Sequence, residues 1–366
     1  MLKHFITVSS QKNLDNSFDK FDVLSVSGKY GIVNQIKFQG RSFAGKTLTN
    51  YKVVNTNDVV YTKSPIKNNP YGVIKVNKHK SGIVSTLYAV YNPTKYVCSN
   101  FVELYFNDNL RLNKYLKPIV NIGAKHDMKI ANKEVINHNV IFPEVEEQRQ
   151  ICTFFLKLEK LISLQQRKLQ QLKLLKEAML QDLFTDKKVP HLRFNGFHTE
   201  WKRYSLGNIA KIITGGDKDI SKIKKHGKYP VIANSTNTNG IIGYYDNDYR
   251  VAAPAITVTG RGEIGHAVAR FKNFTPVVRL LAISSQQDTI FLTNSINKIR
   301  FFNESTGVPQ LTQPQLSKYK IIIPDILEQS NIGRLIEKLD NLINLQQEKI
   351  NKLESLKKFL LQNMFI

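Results

Sequence analysis

The glycines of "AITVTGRGEIGHAV" (255–268) have the spacing G-x-G-x-x-G, which in a dinucleotide-binding turn lets the backbone approach a pyrophosphate. That chemistry needs a strand before the glycines, a helix that opens on them and an acidic residue about 20 positions later. Residues after Gly265 instead alternate like a strand, and no helix and second strand lead up to Asp288. We therefore predict a β-hairpin over 255–271 with Arg261 at its tip, and no nucleotide site.

The charge of the chain indicates a polyanionic partner. Its 366 residues include 53 Lys and Arg against 29 Asp and Glu, a formal net charge of +24. Nucleic acid is the usual partner of such a surface, and the basic residues do not gather on one amphipathic face as membrane binding would require. The sequence has neither an 18-residue apolar run nor a signal peptide, and two cysteines build no disulfide framework or zinc cluster. We expect a cytoplasmic protein without membrane contact.

An internal repeat defines the elements that must position any functional residue. Residues 142–184 and 323–365 align at an offset of 181, and 18 of the 43 aligned positions are identical. In both copies a proline is followed by Glu-Gln and then by apolar residues every three or four positions. This pattern predicts two long helices, each spanning roughly 55–60 Å.

The apolar residues of each helix form a narrow seam, which favours pairing with another helix, and the other copy is the obvious partner. A glutamine stands at the same place in each seam, where it either sets the register of the pair or is solvated. The predicted seam comprises Ile151, Phe155, Leu158, Ile162, Gln165, Leu169, Leu172, Ile332, Ile336, Leu339, Ile343, Gln346, Ile350 and Leu353.

The two segments that precede the helices are rich in short β-type runs that follow each other in the same order. The hairpin at 255–271 thus has a basic counterpart near Lys63 that lacks the glycines. A dinucleotide site would not tolerate that replacement, whereas a loop that contacts phosphates or bases would. We infer two diverged domains, which suggests two ligand specificities held at a fixed distance.

Several stretches resemble the specificity subunit of type I restriction-modification systems. "LRFNGFHTEWKRYSLGNIAKIITGG" (192–216) looks like that family's entry into a target-recognition domain. "STGVPQLTQPQLSKYKIIIPDILEQ" (305–329) and "VIFPEVEEQRQI" (140–151) look like its exits into spacer helices. The resemblance covers nearly the whole chain.

The resemblance implies a mixed α/β (α+β) fold of two target-recognition domains alternating with two long helices, which pair as an antiparallel coiled coil. The domains would be 1–141 and 188–322, and the spacer helices 142–187 and 323–366. Each domain would read one half of a bipartite site in double-stranded DNA. Two methyltransferase subunits and restriction/translocase subunits would be the partners and would use S-adenosylmethionine, ATP and Mg. This chain would bind no cofactor and would not be catalytic alone.

One departure concerns the first domain. About 37 residues precede "YPVIAN" in the second domain, but only about 20 precede "FDVLSV" in the first. No counterpart of "EWKRYSLGNIAKIITGG" is recognisable before the first domain, which we therefore expect to be N-terminally short.

Candidate DNA contacts are basic and amide residues in loops between strands, because lysine and arginine neutralise phosphates and a subset with Asn, Gln and Ser reads base edges. For any one of them a solvated surface position is the plainer interpretation. The candidates are Arg41, Lys46, Lys63, Lys67, Lys125 and Lys129 in the first domain, and Lys218, Asn234, Ser235, Arg261 and Gln310 in the second.

Two other functions remain open. "NNPYG" (68–72) faintly resembles the Asn-Pro-Pro-Tyr loop of adenine methyltransferases, so a self-sufficient methyltransferase is conceivable, although no cofactor turn precedes it. The carboxylates of "PEVEEQ" and "PDILEQ" are not followed by the Glu-x-Lys of a metal-dependent nuclease, and acids that favour a helix start are simpler. A helical protein-interaction adaptor with incidental charge is the other alternative.

Overall fold

The structure, a computed structural model, describes residues 1–66, 69–122, 128–184, 187–302 and 307–365. The chain folds as two compact units. Unit 1 comprises Met1–Gln165 and Lys349–Ile366, and unit 2 comprises Gln166–Glu348. These limits fall inside the two long helices, so each helix contributes one part to each unit. The predicted domain limits follow secondary structure instead and stay a prediction.

In its described residues, unit 1 begins with ten short strands and four short α-helices. The strands are β1 (Ile6–Val8), β2 (Leu24–Ser27), β3 (Gly31–Asn34), β4 (Lys52–Val54), β5 (Val59–Thr62), β6 (Ile74–Val76), β7 (Gly82–Val84), β8 (Tyr88–Pro93), β9 (Asn121–Ile122) and β10 (Met128–Lys129). The helices are α1 (Gln35–Gln39), α2 (Ser99–Tyr105), α3 (Asn109–Leu116) and α4 (Asn132–Val135), and the long helix α5 (Val145–Leu183) follows.

Unit 2 repeats this organisation, with nine strands in its described residues. They are β11 (Lys202–Ser205), β12 (Ala210–Thr214), β13 (Tyr229–Ile232), β14 (Ile241–Tyr245), β15 (Ala255–Thr259), β16 (Ala267–Arg270), β17 (Thr275–Pro276), β18 (Leu280–Ser285) and β19 (Lys320–Ile323). Its helices are α6 (Leu206–Ile209), α7 (Thr289–Asn297), α8 (Gln313–Lys318) and the long helix α9 (Ile326–Asn363).

Each unit is built around a four-stranded antiparallel sheet with the same connectivity. The strand order is β1-β8-β5-β6 in unit 1 and β12-β18-β15-β16 in unit 2. Successive side chains of a strand enter different cores: Val59 and Tyr61 of β5 pack in one apolar cluster and Val60 in another. Both faces of the central strands are therefore buried, which explains their nearly continuous apolar sequences. The mixed α/β repeat predicted from the sequence is confirmed.

The structure shows a counterpart in unit 1 for the second part of "EWKRYSLGNIAKIITGG", whereas an N-terminally short first domain stays a prediction. Strand β1 pairs antiparallel with β8, as β12 pairs with β18. The amide of Leu2 donates to the carbonyl of His138 at 2.9 Å, and the amide of Leu206 donates to that of Tyr319 at 2.9 Å. The chain from Leu2 to the end of β1 thus takes the place of α6 and β12. Sequence comparison missed this because backbone pairing and a buried leucine hold the position with little shared sequence.

The glycine-rich stretch forms the predicted hairpin. Strand β15 pairs antiparallel with β16, with Ala255 opposite Arg270 and Val258 opposite Ala267. The loop between them carries Arg261, and no helix opens on its glycines. In unit 1, β5 and β6 pair in the same way, so the counterpart near Lys63 is also confirmed.

Each long helix is anchored by the glutamine of its Pro-x-x-x-Glu-Gln start. Gln148 is fully buried, and its side chain accepts from the amide of Cys98 at 2.9 Å and donates to the carbonyl of Pro143 at 2.8 Å. Gln329 is also fully buried, accepts from the amide of Asp288 at 3.2 Å and donates to Pro324 at 2.9 Å. The shared motif is therefore explained by its structural role, since in both units its glutamine attaches the start of the long helix to the preceding domain.

The two long helices pair antiparallel. In unit 1, Lys357 Nζ lies 2.7 Å from Glu159 Oε1, and in unit 2 Lys176 Nζ contacts Asp340 Oδ1. Between these two contacts the residue number rises by 17 in α5, from Glu159 to Lys176, and falls by 17 in α9, from Lys357 to Asp340. The two helices therefore run in opposite directions. The predicted helix pair is confirmed.

All the predicted seam positions are buried or half-buried. Ile336 is completely buried, Gln346 is 7% exposed and Gln165 is half-buried. Gln346 is thus buried and Gln165 only partly so, and a role of the two glutamines in fixing register stays a prediction.

Neither long helix, nor any other helix within the described ranges, is long and apolar enough to cross a membrane.

Candidate nucleic-acid interface

Loops of unit 2 converge at one end of its four-stranded sheet. Strands β12 and β15 end there, and β18, which runs in the opposite direction, begins there. Strand β13 of the neighbouring sheet also ends at this place, since Asn234 contacts the loop after β15. We call this set of loops the tip; it consists of residues 215–218, 233–235, 260–262, 277–279 and 309–311.

Asn234 holds the central loop of the tip in place. Its Oδ1 accepts from the amides of Gly260 at 2.7 Å and Arg261 at 3.2 Å, and its Nδ2 donates to the carbonyl of Arg261 at 2.8 Å. The side-chain amide thereby bonds three backbone groups of the loop, in addition to the backbone hydrogen bonds that the loop forms with its neighbours. Asn234, predicted as a DNA contact, is half-buried and acts on the conformation of Arg261.

The loop approaches its neighbours so closely that Gly260 has no room for a side chain. A Cβ on Gly260 would lie 2.4 Å from the carbonyl oxygen of Arg279 and 3.0 Å from that of Leu311. Gly262 has a φ of +75°, a left-handed conformation that favours glycine. These glycines therefore serve a tight loop that packs on backbone, which accounts for the resemblance to a nucleotide-binding turn.

The third contributor is the segment that contains Gln310. Arg261 and Gln310 face each other in an isolated antiparallel bridge. The amide of Leu311 donates to the carbonyl of Gly260 at 2.8 Å, and the amide of Gly262 donates to that of Pro309 at 3.0 Å. Three predicted contact residues, distant in sequence, are thus brought together.

Lys218 and Ser235 complete the predicted set in unit 2. Lys218 is exposed and follows the end of β12, where the amide of Gly215 donates to the carbonyl of Leu280 at 2.7 Å. Ser235 is exposed, and its Oγ accepts from the amide of Asn237 at 3.1 Å, as in a turn.

Arg270 brings positive charge to the β15–β16 hairpin, at the end of β16 that lies opposite Ala255. Its Nε donates to Thr257 Oγ1 at 3.0 Å and its Nη2 to the carbonyl of Asn239 at 2.8 Å. Burial lowers the pKa of the guanidinium to about 10, so it stays charged at neutral pH. Across the described ranges no carboxylate pairs with it. An approaching anion would therefore gain from this uncompensated charge.

Sequence reasoning missed Arg279. Its carbonyl accepts from the amide of Gly260 at 3.0 Å, and its side chain is exposed beside the loop that carries Arg261. The apolar run "PVVRLLAIS" (276–284) has the pattern of one continuous strand, but β18 begins only at Leu280. A charged residue inside an apolar run was the available signal of a turn.

In unit 1 the structure locates only some of the candidates. Lys63 follows β5 and is half-buried; its Nζ donates to the carbonyl of Ile130 at 3.0 Å, and burial lowers its pKa. Lys129 pairs with Asn121 in the β9–β10 ladder and stands at the repeat position of Gln310, but its side chain is outside the description.

The remaining candidates of unit 1 lie elsewhere. Arg41 is exposed, with its guanidinium 4.6 Å from the ring centre of Phe43, and Lys46 is exposed. Lys67 and Lys125 lie outside the described residues.

The two acids of "PDILEQ", Asp325 and Glu328, have structural roles. Asp325 Oδ1 accepts from the amides of Leu327 at 3.1 Å and Glu328 at 3.0 Å, so this acid caps the start of α9 as predicted. Arg193 Nε and Nη2 each lie 2.8 Å from a carboxylate oxygen of Glu328. No cluster of His, Cys, Asp and Glu suited to a metal occurs in the described ranges.

Comparison with known proteins connects this interface to a family. A family model described as the type I restriction modification DNA specificity domain matches residues 198–355. A putative type I specificity subunit of Mycoplasma pneumoniae is 30% identical over 227 residues, which are 60% of this chain and 59% of the relative. The matched region is thus less than two thirds of that relative's length.

Two further similarities agree with this match. The C-terminus of another putative type I specificity subunit of Mycoplasma pneumoniae is 30% identical over 97 residues, which are 26% of this chain and 67% of the relative. The crystal structure of a type I restriction-modification system S subunit from M. genitalium superposes with a TM-score of 0.59 over 100% of this chain and 95% of that chain. Its sequence identity is 12%, so this likeness concerns the fold.

Proposed function

Because the chain belongs to the type I restriction-modification specificity subunits, we propose that it recognises a DNA site made of two half-sites, one read by each unit. The units repeat one sheet order but carry different loops at the sheet end. Equivalent scaffolds with different contact residues suit two different short sequences. The net charge of +24 suits the phosphate backbone that both half-sites share.

The observation that carries this proposal is the convergence of Asn234, Arg261 and Gln310 at the tip of unit 2. Arginine pairs with the O6 and N7 atoms of guanine, and glutamine pairs with the N6 and N7 atoms of adenine. Asn234 fixes the loop, which reduces the ordering cost when Arg261 and Gln310 meet base edges. The tip is thus the surface of unit 2 that we assign to the DNA.

The long helices would set the spacing between the half-sites. Helices α5 and α9 have 39 and 38 residues, and their pairing stiffens them. A rigid pair predicts a fixed number of base pairs between the half-sites.

The chemistry would belong to partner subunits. We propose that two methyltransferase subunits bind this chain and methylate adenines in the site with S-adenosylmethionine. Restriction/translocase subunits would add ATP- and Mg-dependent cleavage. In this arrangement the chain binds no cofactor and is not catalytic alone.

The test is a methylome of the host with and without this gene. We expect an adenine-methylated motif with two short halves and a fixed gap to disappear on deletion and to return with the wild-type gene. Pure chain mixed with S-adenosylmethionine and DNA is the second sample, and it should transfer no methyl group. An unchanged methylome in a host that expresses the partner subunits would contradict the proposal.

A further inference from the structure

Arg279 has a backbone conformation that is unusual for its residue type. In the described part of the chain four non-glycine residues have positive φ, and three of them are asparagines, which tolerate it. The fourth is Arg279, with a φ of +73°. A long side chain in this region is strained, so the surrounding structure must impose the conformation.

Two backbone hydrogen bonds impose it. The amide of Leu280 donates to the carbonyl of Val277 at 3.1 Å, which makes Arg279 the third residue of a tight turn where glycine or asparagine is usual. The amide of Gly260 donates to the carbonyl of Arg279 at 3.0 Å. The turn is therefore fixed against the loop of Arg261, and the strained conformation holds Arg279 in a defined position.

The guanidinium itself is not used by the fold. Arg279 is exposed, and no other residue that the structure describes forms a hydrogen bond or an ion pair with its side chain. A glycine would satisfy the turn with less strain, so the arginine side chain is not explained by folding.

Unit 1 has a turn with the same two backbone hydrogen bonds but a different side chain and a different backbone conformation. The amide of Tyr88 donates to the carbonyl of Ser85 at 3.1 Å, and the amide of Lys63 donates to that of Leu87 at 3.1 Å. Leu87 thus stands where Arg279 stands in unit 2, directly before the matching strand, and it is 59% exposed. The two units share these two hydrogen bonds, but Leu87 is not among the residues with positive φ, so only unit 2 holds a left-handed residue at this point.

We propose that Arg279 is a specificity-determining residue that reads a guanine in the half-site of unit 2. This inference rests on the proposed function, because it assigns one base contact within it. The forked guanidinium pairs with guanine O6 and N7, the commonest specific contact of arginine in the major groove. Leucine at the equivalent place in unit 1 makes no such hydrogen bonds, so the two half-sites would differ there.

The test uses the full chain with its methyltransferase partners and compares Arg279→Gly, Arg279→Gln and the wild type. Both variants remove the fork, and Arg279→Gly also relieves the strained φ. We expect the methylated motif to lose its requirement for one guanine in one half-site, with the gap and the other half-site unchanged. The wild type should bind DNA with that guanine about tenfold to a hundredfold more tightly than DNA in which it is replaced. Both variants should lose this difference. The melting temperature of Arg279→Gly should not fall.

Arg203→Gln is the matched control, because it removes an equally exposed arginine of unit 2 from strand β11, outside the tip. It should leave the motif unchanged. If both Arg279 variants keep the same guanine requirement, or if the half-site has none, the inference is wrong. A folded Arg279→Gly variant that methylates no site also contradicts it, since one base contact should alter discrimination without abolishing binding. If the wild type itself recognises no bipartite motif, the proposed function fails instead.

Discussion

Asn234 is the residue on which the conformation of the tip depends most directly. Replacing it with alanine removes three hydrogen bonds to the loop of Arg261. We expect Asn234→Ala to lower the free energy of unfolding of unit 2 by about 2 kcal/mol, because the amide of Arg261 loses its acceptor, whereas that of Gly260 keeps the carbonyl of Arg279. Urea denaturation measures this, and DNA discrimination should weaken as well.

The control for this change is Asn247→Ala, which truncates an exposed asparagine of the same unit outside the tip. It should alter stability by less than about 0.5 kcal/mol. Equal effects of the two variants would show that the three hydrogen bonds of Asn234 contribute nothing to stability.

Among single residues, the sequence indicated those in polar loops but not the one whose position depends on an unusual backbone conformation. Arg261 and Gln310 were recognisable because polar residues between apolar runs mark loops. Arg279 was not, because its turn depends on the amide of Gly260, 19 positions away in the sequence. Local propensity cannot report a conformation that a distant hydrogen bond imposes.

At the scale of elements, the starts of α5 and α9 differ in one ion pair. Glu328 is fully buried beside Arg193, and its carboxylate also accepts from Trp201 Nε1 at 3.3 Å. Glu147, its repeat counterpart, is exposed. The same sequence motif therefore carries a buried charge pair in one unit only.

This difference predicts unequal effects of one substitution at two equivalent sites. Glu328→Gln should cost about 3 kcal/mol of stability, because it leaves the guanidinium of Arg193 without its counter-charge. Glu147→Gln should be nearly neutral and serves as the matched control. Thermal unfolding of both variants checks this, and similar losses would refute a structural role of the pair.

The long helices were the most predictable elements, since 3.6-residue periodicity persists over 39 and 38 residues. Their observed starts, Val145 and Ile326, lie three residues after the expected 142 and 323. Strand β1 was unpredictable by the same reasoning. It has three residues and exists because β8, about 80 positions later, pairs with it.

For the whole molecule, the net charge of +24 predicts steep salt dependence of DNA binding. Each phosphate contact releases a counterion, so six or more contacts should reduce affinity at least about a thousandfold between roughly 50 and 200 mM salt. Fluorescence anisotropy with a labelled duplex measures the slope. Nearly constant affinity would favour the adaptor interpretation.

The composition of unit 1 from both ends of the chain has a consequence for synthesis. Unit 2 is the continuous stretch Gln166–Glu348, so all of it is synthesised before Lys349–Ile366. Unit 1 needs Lys349–Ile366: Arg111, for example, donates to the carbonyl of Leu361 at 3.0 Å, 250 positions away. We therefore expect unit 2 to mature first, although it is encoded second, while unit 1 waits partly exposed for the last turns of α9. During that interval unit 1 is the part of the nascent protein that chaperones and proteases would find.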